Sequence, residues 1–251
     1  MSGAASHPRA APLWRRAALS ACALAFAVLW AGGVLTQWLG LADERHHAFA
    51  ALFLFLSGLI VLCGAGSRRD ALALAFVALF GFAVEALGVH TGVPFGEYVY
   101  TGALRPRLFG VPVVMGFAWA ALVAFACELT RRFGLPAWPA ALAAALLTTA
   151  TDLVIDPLAA NHFHYWTWAQ EGHYYGIPFL NFVGWYATAL VACRAVGPRP
   201  RPNPWAVFVG LGILLFFALI ALAHALYGVA LIGLALCAAS VFIARRFRPA
   251  Y

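Results

Sequence analysis

The sequence contains eight apolar runs that are each long enough to cross a membrane. They lie at 17–38, 47–66, 71–90, 111–130, 137–156, 177–196, 205–223 and 226–244. About 20 apolar residues in a helix span the roughly 30 Å of hydrocarbon in a bilayer. With 64% hydrophobic and 10% charged residues, the 251-residue chain has too little polar surface for a soluble protein. We therefore predict an all-α, polytopic membrane helix bundle that forms a single integral membrane domain over residues 1–251.

Short arginine clusters separate the apolar runs and set the expected topology. With the N-terminus inside, Arg45, Arg105 and Arg107 lie outside and all other arginines lie on the cytoplasmic side. The positive-inside rule then predicts an N-in, C-in arrangement, which agrees with eight spans. The first run continues to Thr36 without a small-residue cleavage site, so we expect an uncleaved first span. The same clustering accounts for the net charge of +7, and nucleic acid is not expected as a partner.

The two longer loops, 91–110 and 157–176, are both predicted on the outer side, where they can share one site. They also resemble two copies of one unit. Each unit has an acidic residue, a glycine 24 or 25 residues later, and a tryptophan nine residues after that glycine: Glu85, Gly110 and Trp119, then Asp152, Gly176 and Trp185. Pro112 and Pro178 are expected in the first turn of the returning helix, where a missing N–H costs nothing. The pattern predicts a half-repeat.

Three acidic residues are predicted to lie inside the membrane. Asp152 and Asp156 are one helical turn apart, and Pro157 is expected to end their helix. Glu85 lies near the outer end of the third run. Intramembrane carboxyl groups are costly and usually functional, so all three are candidate catalytic residues. The alternative is structural, with Asp156 capping a helix or pairing with an arginine. Four other acids are expected to be solvated: Asp43, Glu44, Asp70 and Glu128.

The second loop also carries histidines and the densest cluster of aromatic residues. His162 and His164 could bind a metal, but their spacing matches no specific motif, so neither a metal nor a cofactor is expected. The aromatic side chains fit either an interfacial belt or a pocket whose ring faces stabilise a cation. Asn181 is a neutral polar residue that could orient a water molecule.

Six motifs give the chain a resemblance to a known family. They are E-A-L-G at 85–88, G-x-P-F-G-E-Y-x-Y at 92–100, G-V-P at 110–112, D-L-x-x-D-P at 152–157, Y-W-x-W at 165–168 and G-H-Y-Y-G-I-P-x-x-N-F-x-G-W at 172–185. They resemble the carotenoid-biosynthesis membrane proteins of the CruF type, the carotenoid 1,2-hydratases that include bisanhydrobacterioruberin hydratase. The likeness covers about 80–190, a catalytic core, and leaves 17–66 and 205–244 as peripheral helices.

The resemblance implies addition of water to the terminal C1–C2 double bond of an acyclic carotenoid, giving a tertiary alcohol without a cofactor. It implies a carotenoid substrate within the cytoplasmic membrane of a bacterial cell, with other membrane enzymes of the pathway as candidate partners. The proton donor is left open among Glu85, Asp152 and Asp156. Candidate substrate-binding residues are His90, Glu97, Tyr98, His162, His164, Tyr165, Trp166, Trp168, Tyr174, Tyr175, Asn181 and Trp185.

Two other functions share some of these features. A membrane carotenoid cyclase, or another acid-catalysed isoprenoid enzyme, would use the same proton donor but would have to exclude water. A transporter or scaffold without catalytic activity would place its polar groups near the membrane midplane. The acids of this chain lie near helix ends, which favours an enzyme.

Overall fold

The computed structural model describes residues 13–43, 46–197 and 201–246. This part of the chain contains eight long helices: α1 (Leu13–Trp38), α2 (His46–Cys63), α3 (Arg68–Thr91), α4 (Val114–Thr130), α5 (Ala137–Asn161), α6 (Phe179–Val196), α7 (Pro204–Ala223) and α8 (Tyr227–Arg246). All eight are long and apolar enough to cross a membrane. The predicted polytopic helix bundle is confirmed. The end of the bundle that carries the two long loops is called the loop end below.

Helix α4 forms the centre of the bundle. In its membrane-spanning segment 83% of the residues are buried, compared with 11–50% in the other helices. Helix α4 contacts α2, α3, α5 and α7. A helix that is apolar on every side can be buried in this way. Gly116 allows close packing on α3, since a Cβ atom there would lie 2.7 Å from the carbonyl oxygen of Ala78. Trp119, which is on α4, is thereby fixed in the middle of the protein.

Helix α5 does not end at Pro157, so the prediction from sequence is wrong at this point. The helix continues to Asn161 with Pro157 inside it. Proline has no N–H to donate to the carbonyl group of Leu153. The hydroxyl of Tyr174, in the following loop, donates to that oxygen instead at 2.9 Å. Burial raises the pKa of Tyr174 to about 12, so the hydroxyl remains a donor. Asp152 and Asp156 therefore lie on an uninterrupted helix.

The two long loops contain short strands and pair with each other. Strand β1 (Tyr98–Tyr100) is antiparallel to β4 (Trp166–Trp168), while β2 (Arg107–Leu108) and β3 (Val111–Pro112) form a hairpin. Tyr98 is opposite Trp168, and Tyr100 is opposite Trp166. Because side chains alternate along a strand, these four aromatic rings share one face of the β1–β4 ribbon.

The half-repeat is visible in the backbone. The two loops end in the same conformation, with φ of 50° and 79° at Phe109 and Gly110 and of 48° and 79° at Tyr175 and Gly176. The two tryptophans that follow stack with ring centroids 4.4 Å apart. The units differ at the prolines. Pro178 directly precedes α6, one residue before the position predicted for it in the first turn. Pro112 instead lies in the β2–β3 hairpin, and α4 begins two residues later.

Two acids at the opposite end of the bundle are buried, although the sequence predicted them to be solvated. Glu128 accepts hydrogen bonds from the guanidinium of Arg131 at 2.6 Å and from the backbone N–H of Asn203 at 3.1 Å. Asp70 accepts a bond from the hydroxyl of Ser67, which in turn caps α3. These carboxylates satisfy helix ends rather than meeting water. Asp43 is exposed as expected, and Glu44 lies outside the described residues.

The role of Tyr174 can be tested by a double-mutant cycle. Tyr174→Phe removes the hydrogen bond to the Leu153 carbonyl and should lower the free energy of unfolding by about 1 kcal/mol. Pro157→Ala supplies a backbone N–H to that carbonyl, so in its background Tyr174→Phe should cost little. Unfolding of the purified protein in detergent measures both values. An equal cost in the two backgrounds would contradict the assignment.

Candidate active site

Glu85 accepts three hydrogen bonds inside the bundle. Its side chain is 4% exposed. The hydroxyls of Tyr98 and Tyr100 donate to Oε2 at 2.6 and 2.8 Å, and the indole N–H of Trp119 donates to Oε1 at 3.0 Å. The two tyrosines are two positions apart on β1, so their side chains point to the same face of the ribbon and reach the same carboxylate.

The donors around Glu85 keep their protons. Burial and the nearby negative charge of Glu85 both raise the pKa of Tyr98 and of Tyr100 above that of a free tyrosine. An indole N–H is a donor only. The carboxyl group thus lies among three fixed donors, an arrangement that suits an acceptor-only carboxylate. This set of contacts distinguishes Glu85 from the other two buried acids.

Asp152 and Asp156 share one amide group. The Nδ2 of Asn181 donates to Oδ2 of Asp152 at 2.9 Å and to Oδ2 of Asp156 at 2.6 Å. These three residues are 0%, 1% and 2% exposed. Within the described part of the chain neither aspartate forms an ion pair, and Oδ1 of Asp152 has no hydrogen-bond partner. The structure thus does not show the alternative expected from the sequence, an ion pair between Asp156 and an arginine, among the described residues.

A small cavity, called the polar chamber here, brings the two sets of acids together. Its volume is about 20 Å³. Its walls are Glu85, Phe95, Tyr98, Tyr100, Met115, Asp156, Trp166, Trp168, Asn181 and Trp185. Asp152 lies behind this wall and is connected to the chamber through Asn181. A space of roughly this size holds about one water molecule when polar partners surround it.

A much larger cavity, called the apolar pocket here, lies next to the polar chamber. It has a volume of about 950 Å³ and is lined by side chains from α1, α2, α4, α5, α6 and α7 and from both long loops. Met115, Trp166 and Trp185 line both cavities. A group bound against these three side chains in the pocket would therefore lie beside the acids of the chamber.

Polar side chains join three helices along the edge of the apolar pocket. Gln37 of α1 accepts hydrogen bonds through Oε1 from Nε2 of His162 at 3.3 Å and from Nε2 of His224 at 2.9 Å. Burial lowers the pKa of both histidines, and the neighbouring His224 and His164 lower that of His162 further. Both rings are therefore neutral donors near pH 7. Among the described residues, no group of three or more His, Cys, Asp or Glu side chains is arranged to hold a metal ion.

The structure sorts the candidate residues from the sequence into three groups. Around or behind the polar chamber are Glu85, Tyr98, Asp152, Asp156, Trp166, Trp168, Asn181 and Trp185. Along the apolar pocket are His162, His164 and Tyr165, together with Trp166 and Trp185. Four candidates line neither cavity: His90 and Glu97 are exposed, Tyr174 bonds to Leu153, and Tyr175 is exposed.

Some residues of the site were not among the candidate site residues from the sequence. Tyr100 and Trp119 bind Glu85, and Met115 separates the two cavities. The Tyr-x-Tyr spacing of β1 and the repeated glycine-to-tryptophan offset were the available signals for the first two. Helices α1, α2 and α7, which looked peripheral, supply walls of the apolar pocket. No local pattern indicates that contribution, because it depends on how distant helices pack.

The fold and these cavities define a multi-pass membrane protein with buried carboxyl groups beside a large apolar pocket. Residues 46–240 match the family described as carotenoid biosynthesis protein, and the chain belongs to this family. The match extends well beyond the core at 80–190 and includes six complete helices and most of α8.

Two curated proteins are similar to part of the chain. Bisanhydrobacterioruberin hydratase of Haloarcula japonica is 34% identical over 131 residues, which cover 50% of this chain and 44% of the relative. Uncharacterized protein YoaT of Bacillus subtilis is 28% identical over 130 residues, covering 51% of this chain and 48% of the relative. The chain thus spans about half the length of the curated relatives it matches. No solved structure matches it.

The shared amide predicts that the stability effects of substitutions at Asn181 and Asp152 depend on each other. Asn181→Asp places three carboxyl groups together without their common donor and should lower the free energy of unfolding by about 3 kcal/mol. Combining Asn181→Asp with Asp152→Asn restores one amide between two carboxyls and should recover part of that loss. Unfolding in detergent compares the four proteins of the cycle. Strictly additive effects would show that the three side chains do not act as a unit.

Proposed function

We propose that the protein is a carotenoid hydratase that adds water to the terminal C1–C2 double bond of an acyclic carotenoid. The observation that carries the proposal is that two buried carboxyl groups, those of Glu85 and Asp156, line a small polar chamber adjacent to a large apolar pocket. Membership of the carotenoid biosynthesis family supports a carotenoid substrate. The similarity to a protein named as a hydratase supports the type of reaction.

The substrate end group occupies the apolar pocket in this proposal. Its double bond lies against Met115, Trp166 and Trp185, the side chains shared with the chamber. The remainder of the polyene extends into the bilayer, since a carotenoid is as apolar as the lipid chains around it. We place the protein in the cytoplasmic membrane of a bacterial cell with the loop end outward. Enzymes acting before and after it on the same membrane-bound pigment are its proposed partners.

The aspartate pair delivers the proton. Two carboxyl groups that share one amide in a buried site cannot both hold a negative charge at low cost, so the pair retains one proton. Asp156 lines the chamber and Asp152 does not. Asp156 is therefore the proton donor to C2, and Asp152 is a positioning residue that shares the proton through Asn181. The π electrons of the double bond form the new C2–H bond, which leaves a tertiary cation at C1.

Glu85 and the aromatic wall stabilise that cation. The carboxylate of Glu85 is held in place by three donors and lines the same chamber as Asp156. A fixed negative charge in a site that excludes bulk water stabilises a developing positive charge effectively. The ring of Trp185, which lines both cavities and stacks on Trp119, adds a cation–π contribution. The environments of the carboxyl groups thus assign a donor role to one and an electrostatic role to another.

Water completes the reaction. Its oxygen forms the C1–O bond, and its surplus proton returns to the aspartate pair, so one water is added and the catalyst is regenerated. The balance involves no change of oxidation state and requires no redox cofactor. A cyclase would quench the same cation intramolecularly and would have to keep water away from it. The polar chamber, with space for about one water molecule beside the acids, favours hydration.

Expression in a bacterium that makes lycopene tests the overall reaction. We expect a new, more polar pigment that is heavier by one water, detected by chromatography and mass spectrometry. A product of unchanged mass would identify a cyclase or isomerase instead. An unchanged pigment profile with the protein present in the membrane, across lycopene and elongated acyclic carotenoids, would refute the proposal.

Neutral variants of the acids test the assigned roles. Asp156→Asn should lower the rate at least about 100-fold, the usual contribution of a general acid. Glu85→Gln should lower it about 100-fold by removing the charge that stabilises the cation. Asp152→Asn leaves the donor in place and should have a smaller effect. Glu171→Gln, at an exposed loop position, is the control and should keep full activity. Alcohol formation per amount of membrane protein is the measurement, and full activity of Asp156→Asn would contradict the mechanism.

A further inference from the structure

The indole N–H of Trp166 is an unpaired donor at the polar chamber. The side chain is 8% exposed, and its Nε1 atom has no hydrogen-bond partner among the described residues. The N–H lies close enough to the carboxyl group of Asp156 to interact with it, but the two groups do not meet the distance and angle of a full hydrogen bond. Buried donors are almost always paired, so this atom requires an acceptor within the chamber.

The neighbouring strand positions point to the same space. Trp166 and Trp168 are two positions apart on β4 and face the ribbon side that carries Tyr98 and Tyr100, while Thr167 between them is exposed. The Nε1 of Trp168 is also buried without a partner in the described part of the chain. Both rings line the chamber of about 20 Å³. A single water molecule is the acceptor that fits this volume and can also donate to carboxylates.

We propose that the polar chamber binds one water molecule, which accepts a hydrogen bond from the indole N–H of Trp166 and donates one to the carboxyl group of Asp156, and that this water is the nucleophile of the hydration. The inference rests on the proposed function and adds its water site. Trp166 is then a positioning residue: it holds the water beside the wall shared with the apolar pocket, where C1 lies.

The position of the water determines the fate of the cation. When the oxygen attacks C1, the C1–O bond forms and one proton of the water passes to the aspartate pair. When water is not held there, the cation can lose a proton from C2 or from a carbon next to C1 to the same pair, which regenerates an alkene of unchanged mass. Removing the Trp166 N–H should therefore change the ratio of alcohol to returned alkene rather than stop protonation.

Reaction in D2O separates these two steps. Membranes containing the protein are incubated with an acyclic carotenoid in D2O, and mass spectrometry follows deuterium in the alcohol and in the unhydrated carotenoid. For Trp166→Phe we expect alcohol formation to fall about tenfold, the effect of one lost hydrogen bond. Deuterium in the unhydrated carotenoid should be retained or increase. Trp166→His, which keeps a ring N–H, should restore part of the alcohol.

Two variants provide matched comparisons. Trp30→Phe removes an indole N–H that donates to the Gly212 carbonyl and lines neither cavity, so the ratio should remain that of the unmodified protein. Asp156→Asn should lower alcohol and deuterium uptake together, because proton delivery fails. If Trp166→Phe does not accumulate in the membrane, benzothienylalanine at position 166 keeps the ring shape and replaces N–H by sulfur, and the same change in ratio is expected.

The results distinguish failure of the proposed water site from failure of the proposed hydratase activity. Unchanged alcohol formation in Trp166→Phe, or a parallel loss of alcohol and deuterium uptake, would overturn the water site while leaving the hydratase intact. Absence of both alcohol and deuterium uptake in the unmodified protein would instead refute the hydratase.

Discussion

The burial of three carboxyl groups within a membrane protein is the constraint on which the rest of the site depends. Lipid offers no water to solvate them, so each must find fixed donors in the protein. Glu85 receives them from β1 and α4, and the aspartates of α5 receive them from α6. These bonds connect the four helices of the half-repeat to the ribbon between the loops. The same contacts that make burial tolerable therefore also fix the positions of the carboxyl groups that face one chamber.

The two halves of the repeat supply hydrogen-bond donors to their buried acids in different ways. Asn181 lies five residues after Gly176, and Met115 occupies the same offset after Gly110. The first half thus lacks the amide and uses two tyrosines and a tryptophan, which give one carboxylate three donors. The second half gives two carboxyls one shared amide. In the proposed mechanism this difference makes the aspartate pair the proton donor and Glu85 the stabilising anion.

The sequence predicts the helices well because lipid imposes a simple length and polarity pattern on each span. It also predicts that Asp152, Asp156 and Glu85 are buried among the helices, since an acid in an apolar run is conspicuous. It fails at Pro157, where local rules favour a helix end but Tyr174 from the next loop completes the hydrogen bonding. It also misses the contribution of α1, α2 and α7 to the apolar pocket, and the burial of Glu128. Each of these depends on contacts between residues far apart in sequence, which no periodicity records.

The separation of the two cavities suits the proposed reaction, which brings together an apolar substrate and a polar reagent. Water filling the large pocket would compete with the polyene for its walls, while complete exclusion of water would leave a cation with no nucleophile. The wall of Met115, Trp166 and Trp185 keeps the larger volume apolar and limits the polar volume to about one molecule. Trp166 belongs to both volumes, with a ring face available to the substrate and an N–H available to water. If the proposed hydration is correct, enlarging the chamber without changing the acids should weaken control over which water attacks, whereas filling the chamber should leave only isomerisation of the substrate.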